Sequence, residues 1–153
     1  MRRIAIPMAL VALAAIGASA SASARPTGPV AGVARVATVR LGSTSDGKIL
    51  VDGGGGTLYS FTKDGRDKDT CVPTRGCTGL WPPFTTTGKP IAGAGVKASL
   101  LGRIKLAHDV EQVTYDGRPL YTYDGDATGS AYVGAHQFGG YWYAFNAAGR
   151  VMR

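Results

Sequence analysis

Two stretches decide the reading of this chain: Leu58-Tyr59-Ser60-Phe61-Thr62-Lys63-Asp64 and Leu120-Tyr121-Thr122-Tyr123-Asp124-Gly125-Asp126. They align without a gap at a spacing of 62 residues, and the same register carries Val51 onto Val113. Further on, Trp81 matches Trp142 after a slip of one residue. Two aromatics, an acid and a later Trp, recurring in that order, mark an internal repeat.

Working outward, each repeat has hairpin chemistry. Gln112-Val113-Thr114-Tyr115 is rich in β-formers, Asp116-Gly117 is a strong two-residue turn signal, and Leu120 to Tyr123 reads as the returning strand. In the first repeat, Ile49 to Asp52 leads through Gly53-Gly54-Gly55-Gly56 into Thr57 to Thr62. The four glycines are not a phosphate loop, because a strand follows them and no Lys-Ser or Lys-Thr pair closes the run. They read as a turn using positive φ. Strand parity puts Tyr59 and Phe61 on one face and Leu58 and Ser60 on the other, with Tyr121 and Tyr123 set against Leu120 and Thr122 in the second repeat. Both faces hold apolar groups, as expected of a strand covered on two sides. Asp64 and Asp126 fall where each strand ends and read first as turn caps.

The flanks add smaller elements. Lys97 to Leu101 predicts one helical turn, Arg103 to Leu106 a strand, and His108-Asp109 a turn. Tyr141 to Phe145 predicts an aromatic strand and Asn146 to Gly149 a turn. The expected fold is mainly β: two internally repeated antiparallel meander or hairpin units, each with its own Trp segment, packed into one small domain. One unit alone would leave an apolar face in water.

The N-terminal part reads differently. Arg2 and Arg3, an apolar run from Ile4 to Ile16, and the small-residue sites around Ala20, Ala22 and Ala24 predict a signal peptide over 1–24. The run is too short to span a bilayer as a helix, so no transmembrane segment is expected in the mature chain. Residues 25–46 read as a linker leading into a first strand at Val36 to Leu41. All aromatic residues (seven Tyr, four Phe and two Trp) lie at or beyond Tyr59. The duplicated domain is therefore placed at 47–153, with repeat 1 at about 47–84 and repeat 2 at about 97–149.

Charge narrows the partners. The net charge is +7, yet from Ile49 onward 11 basic residues face 9 acidic ones, a net of +2. The basic character belongs mostly to the signal and linker, which argues against nucleic acid. Cys71 and Cys77, an even pair in an exported chain, predict a structural disulfide; their C-x5-C spacing is not that of a thiol oxidoreductase.

The pattern Leu50-Val51-Asp52, Thr57-Leu58-Tyr59, Phe61, Asp64, Cys71, Cys77 and Trp81-Pro82-Pro83 resembles a bacterial secreted-repeat family, often labelled predicted lipoproteins of unknown function. The second repeat matches through Ser99-Leu100-Leu101-Gly102, Gln112 to Tyr115, Gly117, Pro119-Leu120-Tyr121, Tyr123, Asp126 and Trp142-Tyr143. The resemblance covers about Gly47 to Gly149 and implies a secreted or extracytoplasmic, cell-envelope location. It brings no activity with it. Many relatives carry a lipobox cysteine after the signal, whereas this chain has no cysteine before Cys71, so it is expected not to be lipid-anchored.

No catalytic constellation is visible: there is no G-x-S-x-G and no H-E-x-x-H, and His108 and His136 are the only neutral-pH bases. The expectation is a non-catalytic exported domain with a binding or structural role toward an envelope polymer or protein, without cofactor or metal. Its candidate binding residues are Tyr59, Asp64, Trp81, Tyr121, Asp126 and Trp142; Tyr141 and Tyr143 join the two Trp residues as rings that a ligand would meet if exposed. The alternatives are a calcium-type site from Asp64, Asp67, Asp69, Asp124 and Asp126, or an uncharacterised hydrolase.

Overall fold

The computed structural model describes residues 35–44, 47–126 and 131–152. The predicted signal peptide and most of the linker lie outside them. The first strand, β1 (Thr38–Thr44), runs further than Val36 to Leu41 and pairs antiparallel with β2 (Gly47–Asp52), Arg40 opposite Val51. The glycine run behaves as a turn: the Asp52 carboxylate accepts the N–H groups of Gly54 and Gly56, each at 2.8 Å. β3 (Tyr59–Phe61) follows, then a four-residue helix α1 (Cys77–Leu80), β4 (Thr85–Thr86) and β5 (Ile91–Ala92), which lies parallel to β1.

The second repeat repeats the plan. A 3-10 turn (Ala98–Leu100) stands where one helical turn was expected, and β6 (Leu101–Lys105) pairs with β7 (Glu111–Tyr115), Arg103 opposite Val113. The turn at His108-Asp109 takes positive φ at both residues. So do Asp116 and Gly117, which join β7 to β8 (Arg118–Pro119). That is the two-residue turn whose twist matches antiparallel strands. β9 (Ala135–Gln137) and β10 (Gly140–Ala144) finish the chain as a hairpin beside β3, ordered β3-β10-β9.

The expected fold class holds: the protein is mainly β, with antiparallel pairing prevailing within three small sheets and the two repeats side by side in sequence. One feature departs from the sequence reading. The returning strand of the second hairpin stays on β7 as far as Leu120, whose N–H bonds the Val113 carbonyl at 2.9 Å, and Tyr121 then pairs with the other repeat. Tyr59 and Tyr121 exchange both backbone hydrogen bonds, at 2.9 and 3.0 Å. Beside this pair the Trp segments are exchanged. Thr62 N–H donates to the Tyr141 carbonyl, and the equivalent Asp124 N–H donates to the Leu80 carbonyl. Leu50 N–H reaches Phe145 and Val113 N–H reaches Phe84. Each repeat's tyrosine strand is completed by the other's Trp segment, so the halves are interlocked about an approximate two-fold axis between Tyr59 and Tyr121. A contact of residue i with residue i+62 in both directions is the mark of a self-complementary interface.

Strand parity sorts the core into layers. Leu58 and Leu120 pack on one side with Val39, Leu50, Val113, Tyr115 and Phe145. Tyr59, Phe61 and Tyr121 pack on the other with Trp81, Trp142 and the Cys71–Cys77 pair. Ser60 is buried as well, so β3 is covered on both faces, as its sequence implied.

Candidate functional site

Six side chains singled out in the sequence come together at the axis. Trp81 and Trp142 are fully buried and stack face to face, ring centroids 4.0 Å apart and 3° from parallel. The column extends outward on both sides: Phe61 of the first repeat stacks on Trp142 at 4.3 Å, and Tyr123 of the second leans on Trp81 at 4.5 Å. Tyr59 meets the edge of Trp81, and Tyr121 that of Trp142, both at 5.1 Å. Such offset and edge contacts contribute about 0.5–1.5 kcal/mol each beyond the area they bury.

The acids also cross between repeats. Tyr59 donates its hydroxyl hydrogen to Asp126, 2.8 Å from Oδ2, and accepts the Tyr132 N–H at 3.0 Å. Tyr121 lies 2.8 Å from Asp64 and 2.5 Å from Asp69. The turn-cap reading therefore holds only in part. Asp64 does accept the N–H and the hydroxyl of Thr70, at 2.8 and 2.7 Å, but its second oxygen serves the buried phenol of the other repeat.

Burial sets the protonation of these groups. It lifts both phenols above the ordinary tyrosine range, with the neighbouring carboxylates adding to the shift. Burial likewise raises Asp64 to about 6, against the opposing pull of hydrogen bonds from Thr70 and Tyr121. Asp126 is raised by burial while its bond from Tyr59 opposes the shift.

Cys71 and Cys77 form the disulfide, their Cα atoms 5.4 Å apart. It closes the loop that carries α1 and delivers Trp81 to the stack. Among the described residues, no group of three or more His, Cys, Asp or Glu side chains is placed to hold a metal ion. His108 is exposed on its turn.

The outer face of β10 is different in kind. Tyr141 and Tyr143 point away from Trp142, as alternation requires. Tyr141 remains 46% exposed, and its ring lies 6.2 Å from that of Tyr143, 24° from parallel. His136 stands opposite Tyr141 across the β9–β10 pair, ring centroids 4.6 Å apart. Tyr132, also exposed, touches Tyr123 at 5.0 Å.

Sequence reasoning missed three participants. Asp69 was visible only as an acid for a metal. Gln137 accepts the Trp81 indole N–H at 2.6 Å, and Tyr132 supplies the backbone donor to Tyr59. None has a counterpart at the repeat spacing, so the repeat could not reveal them.

A duplicated, disulfide-clipped β domain with exchanged Trp segments is the class of protein that this fold and core define. The chain belongs to a family described as a secreted repeat of unknown function, matched twice, over residues 41–85 and 110–146. No curated protein and no solved structure matches it. Among the described residues no helix is long and apolar enough to cross a membrane.

Proposed function

We propose that this secreted protein is a non-catalytic binding domain of the cell envelope, not held by a lipid, whose contact surface is the outer face of β9 and β10. In this reading Tyr59, Asp64, Trp81, Tyr121, Asp126 and Trp142 serve binding indirectly, by fixing the frame on which that face sits. One observation carries it: Tyr141, Tyr143 and His136 form a row of rings directed away from a core that has taken up both Trp residues. Tyrosine offers a flat apolar face and a polar tip with few rotatable bonds, which suits a sugar ring of an envelope polymer. Thr62 fixes the row from beside it, its Oγ1 accepting the Tyr141 N–H at 2.8 Å.

Co-sedimentation with purified insoluble peptidoglycan tests the proposal. The wild-type protein is expected in the pellet. Tyr141→Ala is expected to bind about tenfold more weakly, a difference of about 1.4 kcal/mol, with an unchanged melting temperature. Absence of wild-type retention, or equal retention of the variant, overturns it.

A further inference from the structure

The two phenols at the axis occupy equivalent places but differ in how many hydrogens their contacts require. At Tyr59 the phenol hydrogen goes to Asp126, and the second contact brings its own hydrogen from the Tyr132 backbone. At Tyr121 both neighbours are carboxylate oxygens, Asp64 Oδ2 and Asp69 Oδ2. An ionised carboxylate only accepts, and a phenol donates once. Two oxygen–oxygen contacts need two hydrogens, and the phenol supplies one. Neither acid is free to turn away: Asp64 Oδ1 is held by Thr70, and Asp69 Oδ1 accepts the Val72 N–H at 2.7 Å.

We propose that Asp64 and Asp69 hold one proton between them across the Tyr121 hydroxyl. This proton latches the loop over residues 64–77 onto the second repeat in acid and lets it loosen toward neutral pH. The step is a simple exchange: the carboxyl O–H bond breaks, the proton goes to water and the electron pair stays on the carboxylate. A cleft of about 180 Å³ lined by Asp64, Arg66, Asp116 and Arg118 gives Asp64 its path to solvent. Among the described residues, those groups, with Asp69 and Tyr121, are the charged and titratable side chains placed beside it. Arg66 is held by Asp116, 3.6 Å from its carboxylate and 3.2 Å from its carbonyl, and among the described residues neither Arg66 nor Arg118 makes an ion pair with Asp64 or Asp69.

The sign follows from the raised position of Asp64. An acid that titrates at about 6 when folded and near 3.9 when unfolded makes the folded state the stronger proton binder between those values. The stabilisation is complete below the unfolded value, falls as pH rises, and is lost above the folded one.

Amide hydrogen exchange on the wild-type protein, from about pH 4 to about pH 7, tests the latch. Protection factors of the Thr70 and Val72 amides should fall about tenfold relative to Leu50, whose N–H bonds the Phe145 carbonyl and neither acid of the pair. Asp69→Asn places an amide N–H on the phenol, supplies the missing hydrogen at every pH, and should abolish the fall. Equal behaviour of Thr70, Val72 and Leu50, or an unchanged fall in Asp69→Asn, overturns the proposal. Should that variant not fold, carboxyl-carbon titration of the wild-type protein decides. An Asp64 step at about 6 supports it, and an Asp64 step at the ordinary aspartate value of about 3.9 overturns it.

Discussion

The two repeats carry one motif and end in two different environments. Around Tyr59 a carboxylate, a phenol and a backbone N–H satisfy one another. Around Tyr121 a second carboxylate replaces the backbone donor. The difference comes from the loops, not the motif: Asp69 arrives on the segment that leads into the Cys71–Cys77 disulfide of the first repeat, whereas the second repeat has no cysteine. Duplicated positions preserve the frame, and the segments between them set its chemistry.

The largest test of that comparison is to remove what the repeats share. Trp81→Ala and Trp142→Ala each open a cavity in a fully buried stack and are expected to cost about 3–5 kcal/mol. Urea unfolding should give the two variants similar midpoints. A large gap between them would mean that the indoles are not equivalent members of one core.

Next is what only the first repeat owns. Cys71→Ala with Cys77→Ala is expected to cost about 2 kcal/mol by the loop-closure argument, read from thermal or urea unfolding. Amide exchange should rise around Thr70 and Val72 but not at Tyr132. Uniform loosening of both sites would contradict the local role assigned to the clip.

The smallest test separates the two indoles by their polar edge. Trp81 Nε1 donates to Gln137, while buried Trp142 Nε1 has no partner among the described residues. Trp81→Phe should therefore cost about 1 kcal/mol more than Trp142→Phe. Equal losses would place an unseen acceptor at Trp142.

Much of the architecture was legible because its causes are local. The Asp116-Gly117 turn, the glycine run after Asp52 and the alternation of Leu58 to Phe61 each depend on neighbours a few residues away, and each forms as its chemistry requires. The exchange was not legible. Parity puts Tyr59 and Phe61 on one face but does not say which indole lies there, and Phe61 chose the distant Trp142 over Trp81. Phe138 shows the same limit. It takes positive φ beside Gly139 in the β9–β10 turn, a position the turn chemistry leaves to glycine or Asn, while its ring packs against the aromatic cluster. The six candidate residues were found as a set, but their burial, and the tyrosine row outside, depend on pairings between repeats that spacing alone does not encode.

The interlocking of the halves has a consequence for the order in which the chain folds. A chain is made from its N-terminus, so residues 47–84 are in place well before β10. During that interval Phe61 has no indole to lie on, Trp81 lacks its stacking partner and Tyr59 has no Asp126. Long-range contacts of this kind close late, after the intervening chain is in place. The arrival of Trp142 thus commits both halves to folding at once.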